Sequence, residues 1–260
     1  MSRTRRMESA TGIYHVIIRG INHEKIFNQS REKIYFKKII LKYLEKYNID
    51  IYSYCIMSNH AHFLIRAELK VLSVFMASIL AEYATYYNFK HYRNGHVFQN
   101  RFLSECINDE QYFWSCVRYI HLNPVKAGMV KGIAKYKYSS IGEYINEIPE
   151  ILSDKAIKMY QNNFKNGVEF AKFHGEKETA IFRDIDEEVE AQREEIAEMI
   201  AASMQNRYKL DEINRVFEEK ELRKKYIEQL KENLNLAEGR AKKLCMKMMR
   251  ELDNDKKGRG

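Results

Sequence analysis

Residues 50–57 and 61–66 are two apolar stretches separated only by Ser58-Asn59-His60. A break this short leaves room for a tight turn and little else, so the pair reads as adjacent antiparallel strands of a hairpin. An amphipathic helix is expected on each side of it. Upstream, residues 30–47 carry Ile34, Phe36, Ile39, Ile40, Tyr43, Leu44 and Tyr47 at helical spacing. Downstream, Leu72, Phe75, Met76, Ile79, Leu80 and Tyr83 do the same over 71–90. Outside these lie a β-branched and aromatic run at 13–18 and a second candidate strand at 96–103, after the Asn94-Gly95 turn. A third helix is expected from Asp109, in the capping position, to Leu122. Asn123-Pro124 should end it, because proline disfavours helical geometry in the residue before it.

The order strand, helix, hairpin, helix, strand, helix predicts an α+β fold of split βαβ (ferredoxin-like or RRM-like) type. In such a fold an antiparallel sheet has helices on one face and leaves the other free for a ligand. Near residue 148 the composition shifts to Glu, Lys, Ala, Ile and Met with almost no strand signal. Two regions are therefore expected: 1–147 as the sheet domain and 148–260 as an all-α C-terminal region, with helices near 186–204, 211–233 and 237–252. Deleting 150–260 should then leave a folded domain.

Charge divides along the same line. Residues 1–150 carry 21 Lys and Arg against 13 Asp and Glu, whereas residues 151–260 carry 23 of each. The whole excess of +8 sits in the first part, and a basic domain attracts a polyanion, most commonly nucleic acid. Cys55, Cys106, Cys116 and Cys245 form no CxxC pairing, which suits reduced thiols in a cytoplasmic protein. Arg3, Arg5 and Arg6 are not followed by an apolar signal core, and no uninterrupted apolar run reaches the length of a membrane span. The expectation is a soluble chain with no membrane partner.

His60 and His62 lie two apart at the start of the third strand, so both imidazoles point to one face. Such a pair is half of a metal site, or merely polar decoration of a strand. Tyr119 and Asn123 lie four apart on the third helix and share a face. In isolation Tyr119 is one of 18 tyrosines, most of which must be packing residues, and Asn123 has a plain role as a helix terminator.

Three stretches change the weight of these residues by occurring together and in order. They are Tyr14-His15-Val16-Ile17-Ile18-Arg19-Gly20, then Tyr54-Cys55-Ile56-Met57-Ser58-Asn59-His60-Ala61-His62, then Tyr119-Ile120-His121-Leu122-Asn123-Pro124-Val125-Lys126-Ala127-Gly128. Over roughly residues 10–145 the chain resembles the single-tyrosine HUH transposases, in particular the branch associated with repetitive extragenic palindromes. The resemblance implies a sheet-based nuclease acting on single-stranded DNA, usually one that recognises a hairpin. By position it makes His60 and His62 metal ligands, Tyr119 the nucleophile and Asn123 the third ligand. Ser58 stands where the family often has proline, and Ala61 where it usually has a bulky apolar residue; neither touches a catalytic atom. Mixed imidazole and amide-oxygen ligation suits Mg²⁺ or Mn²⁺ and leaves positions open for phosphate oxygens.

Candidate DNA contacts are Arg5, Arg6, Arg19, Arg66, Arg101, Arg118 and Lys126, with Arg3 and Arg93 beside them. Tyr52, Phe98 and Phe102 are candidate base-stacking rings. Individually each is also an ordinary surface charge or core aromatic. In the C-terminal region Asn233-Leu234-Asn235-Leu236 fits the turn of a helix-turn-helix. Residues 237–250 would be its recognition helix, bearing Arg240, Lys242, Lys243, Lys247 and Arg250. A helical appendage for packing or for a homodimer contact fits equally.

Three rivals remain. A non-catalytic nucleic-acid-binding regulator descended from a transposase would not need Tyr119, and the complete set of His60, His62, Tyr119 and Asn123 argues against it. HUH enzymes of plasmid replication or conjugation place the tyrosine differently or carry two, and lack the Asn-Pro-Val-Lys segment. A metallohydrolase or nucleotide-binding protein with an HxH strand is disfavoured by Leu64, where a third histidine would help.

Overall fold

A computed structural model describes residues 6–176, 182 and 186–257. Its centre is a four-stranded antiparallel sheet of β1 (Ile13–Arg19), β2 (Asp50–Ile56), β3 (His60–Arg66) and β4 (Leu103–Ile107), in the order β2-β3-β1-β4. The expected α+β split βαβ fold is therefore present, but its second face is not left free for a ligand, since the third expected helix packs on β2 and β3 there. β1 and β3 occupy the middle and pair from Ile13 opposite Arg66 to Arg19 opposite His60. Both strands are almost wholly buried, which is why they read as mainly apolar runs, interrupted by His15 in β1 and by His60 and His62 in β3.

Helices α1 (Ser30–Leu44) and α2 (Leu69–Lys90) cover one face. The Phe36 ring lies 6.3 Å from Phe63 of β3 and 5.1 Å from Tyr83 of α2. Gln29 and Glu32 form a capping box at the start of α1. Glu32 is itself buried and accepts from Lys90 (2.5 Å) and His91 (2.9 Å) at the end of α2. Burial alone would raise its pKa, but the Lys90 hydrogen bond and its other donors outweigh that and lower it. Among the described residues α2 is the one helix long and apolar enough to cross a membrane. Its Leu72, Phe75, Met76, Ile79 and Tyr83 are buried in the protein core.

The fourth strand differs from expectation. Residues 96–102 form no regular strand: they cross the end of β1 with a single bridge from Gly20 to Phe98 and a Gln99 N–H bond to the Arg19 carbonyl (3.0 Å). The ladder begins at Leu103, where Leu103, Glu105 and Ile107 alternate along an edge. An edge strand needs only one apolar face, so its signal is weaker than that of the aromatic-rich loop before it.

Helix α3 (Glu110–Lys126), capped by Asp109, which accepts from the Tyr112 N–H at 2.7 Å, packs on β2 on the face opposite α1 and α2. It runs through Pro124 rather than ending before it. The terminator is Gly128 at φ +66, with Met129 N–H bonding the Pro124 carbonyl (2.9 Å) and Gly128 N–H bonding that of Val125 (3.0 Å). This double closure, with a left-handed glycine just past the helix, satisfies the last carbonyls. Proline near a helix end costs only one hydrogen bond, too little to stop the helix.

The boundary expected at 147/148 also moves: the compact units are residues 1–180 and 181–260. Past Pro149 the chain stays on the sheet domain. The buried Glu143 carboxylate of α4 (Ile141–Asn146) accepts the Tyr54 hydroxyl (2.6 Å) and the N–H groups of Glu150, Ile151 and Leu152 (2.7–2.9 Å). Helix α5 (Asp154–Asn163) packs on β2, and α6 (Gly167–His174) on α3. Their rings interlock: Tyr160 lies 4.9 Å and Tyr144 5.3 Å from Phe170, and Trp114 lies 5.0 Å from Phe164. The change in composition at 148 marks where strands stop, not where the core stops.

The second unit is helical: α7 (Asp186–Tyr208), the short α8 (Arg215–Glu218), α9 (Lys220–Leu234) and α10 (Glu238–Lys257). Ala197, Ala201, Val216, Tyr226, Leu230 and Ala241 lie in its core, and the Tyr226 hydroxyl donates to the Ala197 carbonyl (3.0 Å). Asn235, at φ +48, breaks α9 from α10.

Candidate active site

The site is built on the sheet face that α3 covers. Residues directly opposite one another in an antiparallel pair project to the same side. The pairings Arg19 with His60, Ile17 with His62 and His15 with Leu64 therefore place Arg19, His15, His60 and His62 on one face. Tyr119 descends on them from α3. Its ring centroid is 5.9 Å from both His62 and His15, nearly perpendicular to each (87° and 82°). Three elements distant in sequence thus converge on one point.

All of these groups are withdrawn from solvent: His15 and His62 are fully buried, His60 and Tyr119 are 2% exposed and Asn123 is 1% exposed. Burial, with the Arg19 charge nearby, pushes His60 down to about 4. Burial, reinforced by His60 and His15, holds His62 well below the usual histidine value. Both rings are therefore neutral at neutral pH, the form that ligates metals. The His60 Nδ1 faces the Asn59 Oδ1 at 2.7 Å. An amide oxygen can only accept, so the His60 proton sits on Nδ1 and its Nε2 carries the lone pair.

Asn123 follows Tyr119 by four residues on α3, which puts it on the same side of the helix. Its Oδ1 and Nδ2 and the His60 Nε2 are buried with no hydrogen-bond partner. Orphaned donors and acceptors are costly in a dry interior; a cation would satisfy the lone pairs of the His60 Nε2 and the Asn123 Oδ1, while the Nδ2 donor needs an acceptor such as water or a phosphate oxygen. Among the described residues no three His, Cys, Asp or Glu side chains are placed to hold a metal. A cation at His60 and His62 would therefore draw its further ligands from oxygen donors, an amide or water, which fits a hard cation and not a closed thiolate zinc site.

The basic candidates scatter. Arg19 stands beside His60 and contacts His23 at 2.6 Å. Arg66 is exposed at the opposite end of β3, about 20 Å away by strand rise. Arg6 donates to the Phe102 carbonyl (3.1 Å) and lies 3.7 Å over its ring, near the exposed Arg101. Lys126 is exposed at the end of α3, and Arg5 lies outside the described residues. Arg118 is overturned as a DNA contact: it is buried, donating to the Phe173 carbonyl (3.3 Å) and Glu176 (3.1 Å). One residue from Tyr119 is about 100° around a helix, so Arg118 points to α6 instead. Tyr52, buried edge-on against Phe113 at 5.3 Å, and Phe102, buried under Arg6, are core rings and not stacking platforms.

Two groups escaped sequence reasoning. His15 lay in a quoted motif without a role; the signal was a lone imidazole inside an otherwise apolar central strand. His121 and His174 form a buried chain behind the site. His174 Nδ1 donates to the Phe170 carbonyl (2.7 Å), and its Nε2 meets His121 Nδ1 at 2.9 Å. His121 Nε2 in turn meets the Ser140 Oγ at 2.8 Å. This chain pins α6 and the Ser140 segment to the helix that carries Tyr119.

Residues 9–123 match the family model described as "Transposase IS200 like". A solved structure of the REP-associated tyrosine transposase bound to a REP hairpin is 19% identical. The match covers 59% of this chain and 91% of that one, with a TM-score of 0.48. No curated protein matches. The matched segment, a little under half of the chain, contains the whole sheet, both histidines, Tyr119 and Asn123, and its similarity is to the IS200-like transposases.

Proposed function

We propose that this protein cuts and rejoins single-stranded, hairpin-containing DNA through a covalent bond to Tyr119. The observation that carries the reading is the meeting of Tyr119 with His62 across two elements, with His60 next to His62 and Asn123 one turn along α3 from Tyr119. The Tyr119 oxygen attacks the scissile phosphorus as its proton leaves. The P–O3′ bond breaks, and the departing oxygen takes up a proton as a free 3′-hydroxyl. The 5′-phosphate stays on Tyr119, conserving the bond energy, so a new 3′-hydroxyl can reverse the step without ATP. His60, His62 and Asn123 would hold Mg²⁺ or Mn²⁺, which when bound polarises the phosphate and offsets its charge as a Lewis acid. The exposed Arg101 and Lys126, with Arg19 at the site, would neutralise phosphates along the strand.

The helical unit is proposed as a second DNA contact. A groove of about 580 Å³ runs beside α10, lined by Arg193, Arg240, Lys243, Lys247 and Arg250 against Glu190 and Glu194. Basic side chains at this spacing along one helix face suit phosphate contact by a helix-turn-helix.

A binding-only regulator is favoured by one fact, the burial of Tyr119 at 2% exposed: a nucleophile must be uncovered to react. Incubating the chain with labelled hairpin oligonucleotides from DNA flanking its gene, with Mg²⁺ or Mn²⁺, separates the readings. The enzyme becomes covalently attached to the fragment carrying the 5′-phosphate. Binding without cleavage across many hairpins and both metals would leave the regulator.

A further inference from the structure

We infer that His15 and Glu105 are positioning residues that hold His62 in the tautomer able to ligate a cation through Nε2. The inference rests on the metal reading of His60, His62 and Asn123 and extends it to two residues outside that ligand set.

The sheet order makes the contact. β1 lies between β3 and β4, and His15 sits opposite Glu105 in β4 and Leu64 in β3, the position two residues beyond His62. Glu105, His15 and His62 therefore line one face in a row. His15 Nε2 lies 3.2 Å from His62 Nδ1, with the rings stacked at 17°. On its other side His15 Nδ1 faces Glu105 Oε2 at 3.7 Å.

A neutral imidazole has one N–H, so two arrangements are available. In the first, His62 Nδ1–H donates to His15 Nε2. The His15 proton then sits on Nδ1, towards the carboxylate, and His62 keeps a lone pair on Nε2. In the second, His15 Nε2–H donates to His62 Nδ1. The His62 proton then blocks Nε2, and His15 turns a bare Nδ1 lone pair towards a negative charge. At 3.7 Å Glu105 is beyond hydrogen-bond length, but its field still opposes the second arrangement and favours the first. His60 reaches the same end by a shorter route, its Nδ1 held by Asn59 Oδ1 at 2.7 Å. Both histidines of the pair thus have Nδ1 engaged and Nε2 as the coordinating atom, the arrangement that outer partners impose on metal-bound histidine.

Two measurements test this on the full-length chain. In metal-free, ¹⁵N-histidine-labelled protein at neutral pH, long-range ¹H–¹⁵N correlation should find the His62 proton on Nδ1; a proton on Nε2 overturns the inference. In the second, Mn²⁺ alone is titrated and the free ion is read by paramagnetic resonance. Glu105→Gln and His15→Leu should weaken uptake, by about 10–100-fold for the latter. His15→Gln, whose amide oxygen can accept from His62 Nδ1–H, should restore part of the loss. Wild-type affinity in both weakened variants overturns the positioning role and leaves the metal reading standing. A wild-type chain that takes up no Mn²⁺ overturns the metal reading and this inference with it. Should His15→Leu fail to fold, Glu105→Gln decides alone, since Glu105 lies on an edge strand with its side chain 24% exposed.

Discussion

Tyr119 meets His62 and His15 edge to ring, so its substitution separates packing from chemistry. Tyr119→Phe keeps the ring and removes the attacking oxygen. Cleavage of a hairpin oligonucleotide and the covalent adduct should vanish, while DNA affinity stays within about twofold, since little but the hydroxyl changes. An adduct through another tyrosine, or undiminished cleavage, would remove Tyr119 from its role. His60→Ala should also abolish cleavage, by a different route. It deletes an imidazole held neutral by burial and leaves the phosphate charge uncompensated. Added Mn²⁺ should recover part of that activity but none of the Phe variant's, and equal recovery in both would contradict the division of labour.

At the scale of single elements, α3 matters most, because it carries Tyr119 and Asn123 and is held at both ends. Gly128 closes it at φ +66, where a Cβ would be strained although no neighbour lies within 4 Å. Gly128→Ala should therefore destabilise the sheet domain by about 1–2 kcal/mol, read by urea denaturation; an unchanged midpoint would mean the helix end is not held as described. Behind the site, burial pushes His174 down to about 4 and holds His121, beside His174, well below its usual value. The unfolded chain binds these protons near pH 6.5 and the folded chain does not. Stability is therefore fully present above about 6.5 and falls as the pH drops towards 4. Each histidine contributes a slope of up to about 1.4 kcal/mol per pH unit. Urea midpoints between pH 7.5 and 4.5, in chelator, should show this slope and show it reduced in His174→Gln. A flat profile in the wild type would deny that these groups are buried neutral.

For the molecule as a whole, the compact units dictate where it can be cut. Residues 1–180 contain the sheet, Tyr119 and the aromatic layer of α5 and α6. Truncation after residue 180 should leave a folded domain that still cleaves a saturating oligonucleotide but binds its site more weakly. Truncation after residue 149 should not fold stably. It strips Phe170 and His174 from His121 and Tyr144 and removes the N–H donors of Glu150, Ile151 and Leu152 from the buried Glu143 carboxylate. Circular dichroism of the two fragments checks the first claim, and cleavage by the longer one checks the second. A folded fragment 1–149 would restore the earlier boundary.

The primary structure alone determined the order of elements, the hairpin and the His60–His62 pair. These follow from periodicity and turn chemistry, which are local. It also set His60 and His62 on one side of a strand and Tyr119 and Asn123 on one side of a helix, because those spacings are geometric. Only tertiary structure decided that Tyr119 meets the histidines, since that depends on α3 lying across β2 and β3. It alone decided that Arg118 faces α6, that Gly128 and not Pro124 ends α3, and that residues 150–176 belong to the sheet domain. His15 shows the limit most clearly. A lone imidazole in an apolar strand marks it without giving it a role, and its contacts with His62 and Glu105 exist only because β1 pairs with β3 on one side and β4 on the other. Strand order is a long-range property, and no local pattern encodes it.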